Sequence, residues 1–555
     1  MEINSRSENA QWFFRSVDWG SMGAILITIL LVLPILAIVA SIFRPFEQIW
    51  HHLLDTVLLS YIANSLGLML GVAIGTCLLG VSSAWLVAVC DFPGRKILSW
   101  VLLLPMAMPA YIIAYTYTGL LDVSGPLQTH LRALFGWSYG DYFFPQIRSF
   151  GGATCMLSLV LYPYVFLLAR VSFANQAGAI LEASRNLGHG PWRTFLGVSL
   201  PMARPAIIAG SSLVMMETLA DFGTVAYFGV STFTTGIFRI WYGLGELLTA
   251  AQLSAMMMLF VFSCILLEQK SRRRMRFYKN EHRTRPELLV LGDRRAVIAS
   301  FYCWAIASIG FIIPTAQLVV WAGSRWRENL NYAFLNLAWN SFLLASTAAI
   351  ICILAAVFLS IMKRYSKSKL SSAQVEIAKL GYAIPGAVIA VGVLIPVGWI
   401  DNQINLLSAA SLGKSIGLVF GGSLGILVFA YVVRFLSVSL QTVESGLSSI
   451  KPSIDESAAS LGGSKLDILR TIHLPLLKPS LMTAFILVFV DVLKELPTTL
   501  ILRPFNFNTL AVRTYELASD ERLMDAALPA LTVVVIGLLP IILIFRTINK
   551  SSDIK

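Results

Sequence analysis

The chain has 555 residues, of which 57% are hydrophobic and only 13% charged, and its mean hydropathy is +0.74. A soluble protein of this size carries roughly 25% charged residues, so the soluble globular class is excluded. The net charge of +12 sits in one linker and a few short loops rather than on a folded basic surface, which argues against a nucleic-acid partner.

Apolar runs of about 20 residues, the length that crosses a bilayer, start near 23–43 and recur near 66–90, 98–118, 150–172, 204–228, 250–267, 299–321, 338–362, 378–400, 415–440, 478–501 and 525–546. They predict an all-α integral membrane protein with about twelve transmembrane helices in two parallel six-helix repeats. The first run is too long and too far from the start for a cleaved signal peptide. Residues 1–22 read as a cytoplasmic N-terminal segment, 23–268 as the first transmembrane domain, 269–297 as a basic cytoplasmic linker, 298–548 as the second transmembrane domain and 549–555 as a cytoplasmic tail. Ten basic residues between Lys270 and Arg295, with Arg95, Lys96, Lys363, Arg364, Lys367 and Lys369, mark the cytoplasmic side.

The two halves repeat. Asn64-Ser65 returns as Asn340-Ser341, and at the same interval Pro109-Ala110 returns as Pro385-Gly386. Further on, Glu182-Ala183-Ser184, Gly188, Val198 and Leu200-Pro201 return as Glu456-Ser457-Ala458, Gly462, Ile472 and Leu474-Pro475, all at one interval slightly shorter than the first. A tandem duplication with a small length difference accounts for both intervals. An even number of spans per half gives both halves one orientation and puts both copies of this loop on one face. Each loop is expected to form helix, glycine turn, helix. Gly188 and Gly462 permit a bend that a side chain would obstruct, Pro191 suits a first helical turn, and Leu200-Pro201 is expected to end the second helix and redirect the chain. A single copy would pass for an amphipathic connector; two copies matched in spacing do not.

The pattern Glu-Ala-Ala, three residues, Gly, nine residues, Ile, one residue, Leu-Pro resembles the permease subunits of binding-protein-dependent ATP-binding cassette importers. Ser184, Ser457 and Val198 depart mildly from it. Lys494-Glu495-Leu496-Pro497-Thr498-Thr499-Leu500 and Glu217-Thr218-Leu219-Ala220-Asp221-Phe222-Gly223-Thr224 are similar to the ferric-iron branch, where fused double-length permeases occur. The resemblance implies that Glu182, Ala183, Gly188, Leu200 and Pro201, with Glu456, Ala458, Gly462, Leu474 and Pro475, couple the chain to two copies of a cytoplasmic ATPase. It also implies an external substrate-binding protein, ATP and magnesium used by the partner ATPase, and no cofactor bound by this chain. Thiamine or polyamine import is the alternative within that superfamily, and an ion-driven secondary transporter the alternative outside it.

Nothing in the chain predicts ATP hydrolysis. Gly413-Lys414-Ser415 resembles the end of a phosphate loop, but Ser408 stands where its first glycine is required. His51, His52, His130, His189, His282 and His473 show no metal-ligand spacing and read as solvated or interfacial. Cys77, Cys90, Cys155, Cys264, Cys303 and Cys352 form no CxxC and read as buried small hydrophobes.

Four acids fall within apolar runs: Glu217 and Asp221, then Asp491 and Glu495, which repeat at the interval of the loop motif. An aspartate at a helix centre costs roughly 2.5–3.5 kcal/mol. Spacing of i,i+4 is expected to place each pair on one helix face, midway along its span, lining a water-filled substrate path. Oxygen ligands suit hard cations, so all four are transient metal-ligand candidates, and ferric iron fits. Two structural roles compete: neutralisation by Lys494, Arg503 or a distant arginine, and hydrogen bonding to helix ends at a kink near Pro497. Thiamine would want aromatic faces, and no aromatic cluster beside the four is evident in the string, Tyr227 and Phe228 reading equally as interfacial anchors.

Overall fold

The structure is a computed structural model; it describes residues 19–176, 184, 186–273, 288–366 and 368–553. Among the described residues the regular structure is helical except for one two-residue parallel pair, β1 (Cys90–Asp91) with β2 (Leu289–Val290). Among the described residues, eleven helices are long and apolar enough to cross a membrane, or twelve if one bent pair counts as a span.

In chain order the first half contains α1 (Trp19–Ser41), α2 (Gln48–Thr56), α3 (Leu58–Val89), α4 (Arg95–Val101), α5 (Ala110–Leu121), α6 (Pro126–Phe135), α7 (Phe150–Gln176), α8 (Leu200–Ala220), α9 (Gly223–Tyr227), α10 (Phe233–Arg239) and α11 (Leu247–Arg273). The second contains α12 (Asp293–Ala307), α13 (Ile313–Ser324), α14 (Tyr332–Tyr365), α15 (Lys369–Ala378), α16 (Gly386–Leu412), α17 (Leu424–Ser448), α18 (Pro452–Ser460), α19 (Leu474–Lys494), α20 (Pro497–Leu502), α21 (Leu510–Ser519) and α22 (Leu523–Asp553). The repeat holds at backbone level: α8 and α19 both start and end at the interval of the loop motif, and the first residues of α7 and α17 are separated by the same interval.

The segment expected as a span at 98–118, punctuated by Pro109-Ala110, is broken there. A short 3-10 turn, Leu104–Ala107, leads into Pro109, and the chain bends by 93° there. Proline lacks the N–H that would continue the ladder and disfavours helix at the residue before it. Pro385 does the same before α16; the two prolines have ψ of 141° and 143°.

Contacts divide the chain into two compact units that are not the two sequence halves. One comprises residues 1–44 and 340–507, so α1 belongs with the spans of the second repeat. There α1 packs along α16, and Gly392 lies so close that a side chain would meet the Pro34 carbonyl at 2.6 Å. The other unit comprises 45–339 and 508–555. Its largest interface joins α3 and α7 through Gly67, Gly71 and Gly75, spaced one per helical turn and abutting Phe150, Thr154 and Ser158. Small residues at this spacing let membrane helices approach closely where burial from water offers no driving force. In the expected linker 269–297, α11 continues to Arg273 and α12 starts at Asp293; 274–287 lies outside the described residues.

Candidate functional site

Two kinds of site emerge, a pair of repeated loops and a pair of helix breaks. In the loops, Gly188 and Gly462 have φ of +78° and +86°, the left-handed region that side chains rarely adopt. Both stand in open space, so what forbids a side chain is backbone strain rather than the expected obstruction. One residue on, His189 N–H donates to Ser184 C=O at 3.1 Å and Gly463 N–H to Ala458 C=O at 3.0 Å. This closure, with a left-handed residue inside it, is the Schellman ending of a helix. Before the glycines, Leu187 and Leu461 are 75% and 89% exposed, an arrangement that presents an apolar side chain at each loop tip. Glu182 and Ala183 lie outside the described residues; Glu456 and Ala458 are on α18.

Leu-Pro does not end the helix. Leu200-Pro201 and Leu474-Pro475 are the first two residues of α8 and α19, each preceded by a π turn, Phe195–Ser199 and Leu469–His473. Leu200 N–H donates to Phe195 C=O and Leu474 N–H to Leu469 C=O, a wider closure than that of an α turn. A proline ring ordinarily collides with the carbonyl one α turn before it; the widened turn makes room for it.

The second loop carries an anchor that the expected solvated role for His473 did not foresee. His473 is fully buried and its Nε2 meets Asp455 Oδ1 at 2.8 Å. Arg364 Nε donates to Asp455 Oδ2 at 2.6 Å, and its two terminal nitrogens donate to the carbonyls of Leu447 and Ile450. Burial pushes the Asp455 carboxyl up, but hydrogen bonds and charge from Arg364 and His473 outweigh it and hold the group below the usual aspartate range. At the equivalent positions of the first half stand Leu181 and Ser199.

The intramembrane acids are not paired along a continuous helix. Glu217 and Asp491 lie in the last turns of α8 and α19, but Asp221 and Glu495 fall just after those helices end, in extended conformation with ψ of 130° and 117°. Each carboxylate turns to the start of the next short helix. Asp221 accepts the N–H groups of Thr224 and Val225 and the Thr224 hydroxyl at 3.0–3.1 Å. Glu495 accepts the Thr498 N–H at 3.1 Å and its hydroxyl at 2.5 Å. These satisfy donors that a helix start leaves open. Of the two carboxylates at the breaks, Glu495 gains an arginine: Arg434 Nη1 of α17 donates to it at 2.7 Å, and both side chains are buried. Gly386 permits this contact, since a Cβ there would overlap Arg434 Nη1, Glu495 Oε1 and Thr498 Oγ1. The first half has Val160 in place of Arg434 and Ala110 in place of Gly386.

Among the described residues of either unit, no three His, Cys, Asp or Glu side chains gather closely enough to hold a metal ion. Beside Asp221 the structure does bring aromatic rings together. Phe222 contacts Phe238 and Tyr515 at centroid distances of 4.7 and 5.8 Å, and Tyr111 approaches Tyr515 at 6.5 Å. Phe222 and Tyr515 lie in opposite halves of the sequence, so no local string could reveal the cluster. Gly413 is the left-handed cap after α16, with no strand before it, and so lacks the setting of a phosphate loop. Of the cysteines, Cys90, Cys264, Cys303 and Cys352 are buried, whereas Cys155 is exposed on α7.

The profile of the family described as "Binding-protein-dependent transport system inner membrane component" matches residues 76–277 and again 348–553. The chain is 26% identical over 541 residues to the Fe(3+)-transport system permease protein FbpB 2 of Haemophilus influenzae, covering 95% of this chain and 97% of that one. It is 25% identical over 494 residues to the putative ferric transport system permease protein FbpB 1 of the same organism, covering 84% and 74%. Over 174 residues it is 28% identical to the molybdenum transport system permease protein ModB of Escherichia coli, covering 31% of this chain and 71% of ModB. Two matched domains, membrane-crossing helices and a duplicated loop converge on one conclusion: the chain belongs to the family of inner-membrane components of binding-protein-dependent transport systems, as a permease with both halves fused.

Proposed function

We propose that this permease imports ferric iron, received from an external binding protein and driven by two copies of a cytoplasmic ATPase that dock on the loops around Gly188 and Gly462. The observation that carries the iron assignment is similarity over nearly the full length to relatives named for ferric transport. The loops support the coupling role: two Schellman-closed tips, each presenting an exposed leucine, suit two copies of one partner. Glu182, Ala183, Leu200, Pro201, Glu456, Ala458, Leu474 and Pro475 complete those loops and share this assignment. ATP and magnesium are used by that ATPase, and the chain itself binds no cofactor. Nucleotide binding draws the ATPases together, moves the loops and exposes the path alternately to the two sides.

The helix breaks at Asp221 and Glu495 are the proposed path elements. Interrupted helices carry polar backbone at membrane depth, which is tolerated only inside protein or beside a water-filled cavity. Asp221 supplies negative charge along that path, Glu217 and Asp491 stand one turn before the breaks as further elements of it, and Glu495 is bonded to Arg434. Iron passes by electrostatic attraction and brief contacts, since a transit site must release what it binds.

The rings beside Asp221 favour a second reading, an organic cation such as thiamine, held by charge and cation–π contact. Uptake of radioactive iron by cells with and without the gene, with thiamine as competitor, separates the two. Iron uptake that depends on the gene and resists thiamine supports the first reading; gene-dependent thiamine uptake without iron uptake rejects it. Transport by the purified permease that persists without an added ATPase would overturn the coupling assignment.

A further inference from the structure

Beside the first loop lies a cavity of about 910 Å³ that the transport reading does not use. Its walls come from α3 (Ser82, Trp85, Leu86), from the loop (Trp192, Phe195), and from one stripe of α12, Arg295, Ile298, Ala299 and Tyr302. That spacing of i, i+3, i+4 and i+7 makes a continuous face, about 10 Å long at 1.5 Å per residue. It runs from a charge to a hydroxyl: Arg295 joins Arg193 among the lining residues, and Tyr302 hydrogen-bonds Ser82 at 2.7 Å at the other end. The rest is apolar and aromatic, with Trp85 packed on Phe195 at 5.0 Å. On α12 the lining residue Ile298 and its neighbours Val297 and Phe301 are 63–75% exposed, so the cavity opens onto an apolar exterior.

We propose that this cavity binds an anionic phospholipid of the cytoplasmic leaflet, its phosphate between Arg193 and Arg295 and an acyl chain against Trp85, Phe195 and Ile298. Basic pockets between membrane helices on the cytoplasmic side suit such head groups, and the ammonium of a zwitterionic lipid would be repelled by the same two cations. The repeat supplies an internal comparison. In the second half Asp467 stands where Arg193 does, so an anionic head group would be repelled. The counterpart of Trp85, Ile361, is buried in a cluster with Leu447, Ile450 and Leu477, and the counterpart of Phe195, Leu469, packs against that cluster. Trp85 packs on Phe173 and Phe195 in the equivalent way, so it is the acid in place of Arg193 that sets the second half apart. Because Trp192, Arg193 and Phe195 belong to the loop, a bound lipid braces the first loop, as the Arg364–Asp455–His473 group braces the second.

The proposal rests on the cytoplasmic placement of the loops, and its test keeps the two apart. The full chain, copurified with its ATPase, is placed in nanodiscs of equal phosphatidylglycerol and phosphatidylethanolamine, and retained lipid is counted by native mass spectrometry. Retention of phosphatidylglycerol several-fold over phosphatidylethanolamine is expected, and its loss in the Arg193→Gln, Arg295→Gln double variant but not in the control Lys96→Gln. Equal retention of the two lipids, or a double variant that keeps phosphatidylglycerol as the parent does, overturns it. So does crosslinking of a photoreactive group at position 298 to the ATPase or the linker instead of lipid. Failure of the ATPase to copurify with the unmodified chain bears instead on the loops; lipid loss with the ATPase still bound bears on the cavity alone.

Discussion

Asp221 and Glu495 occupy equivalent places, each just past the end of a membrane helix, each hydrogen-bonded to a threonine at the start of the next. Among the described residues, Glu495 and not Asp221 is paired with a buried arginine. Two substitutions make the difference, Val160 for Arg434 and Ala110 for Gly386, and they are coupled sterically: the arginine needs the space that the missing Cβ leaves. The repeat has thus kept one backbone device and given it two electrostatic characters. A carboxylate kept through a duplication is not thereby a charge kept.

The largest effect should come from breaking that pair. Arg434→Leu leaves Glu495 buried without its partner and should destabilise the fold by about 3–5 kcal/mol, seen as a lower melting temperature and yield of detergent-extracted protein. Arg434→Leu combined with Glu495→Met should recover much of the loss, because removing both charges removes the unpaired one. A single variant as stable as the parent would break the comparison.

Next in size is Gly386→Ala, whose methyl overlaps three polar atoms and should cost about 1–3 kcal/mol. Ala110→Gly in the first half should cost at most about 1 kcal/mol, the ordinary glycine penalty. Equal melting shifts from the two would show that the arginine does not depend on the space at 386.

Function should divide the other way. Asp221→Asn should leave expression intact and cut iron uptake by about tenfold, the rate change that corresponds to about 1.4 kcal/mol. Glu495→Gln should lose folded protein first. Normal uptake in Asp221→Asn would remove that residue from the proposed path.

In the loops, Gly188→Val and Gly462→Val force a branched side chain into positive φ, at about 1–2 kcal/mol each. The second loop is anchored by Asp455 through the chain's own side chains, whereas detergent strips the lipid proposed to brace the first, so in detergent ATPase copurification should fall more for Gly188→Val than for Gly462→Val. Equal losses would mean that the anchor does not brace the loop.

The smallest effect is on pH. The Asp455 carboxyl is held below its ordinary value of 3.8, so its contribution is complete above that value and is lost as pH falls through the lower, folded-state one. Asp455→Asn should therefore lower the melting temperature more at pH 7 than at pH 3. A difference that persists unchanged at pH 3 would contradict the ion-pair account.

Much of this architecture was legible in the string. The repeat, the number of spans and the two turn glycines follow from apolar length, matched spacing and the conformational demand of a left-handed residue. The helix breaks were legible too: Gly223 and Pro497 each stand shortly past a carboxylate, and Asp221-x-x-Thr224 and Glu495-x-x-Thr498 carry the capping spacing. The competing role, hydrogen bonding to helix ends at a kink near Pro497, read that signal; placing the i,i+4 acids on one face of an unbroken helix did not. Arg434 was not legible as a partner, since it lies far from Glu495 in the sequence and sits inside an apolar run. The anchoring of His473 was hidden similarly, for its partner Asp455 lies on a different helix. Pairings that cross between helices depend on how those helices pack, and periodicity along one segment carries no record of that.

The π turns before α8 and α19 make each loop-to-span junction behave as a gear with a fixed tooth count. A π turn holds one residue more than an α turn, and one residue is about 100° of rotation along a helix of about 3.6 residues per turn. Deleting any one residue between Phe195 and Ser199 lets the ladder close as plain α-helix, and Trp192 and Gly188 swing about 100° relative to Glu217. The spacing between the turn glycine and Leu-Pro is therefore a length that sets an angle, which is why both copies count it alike.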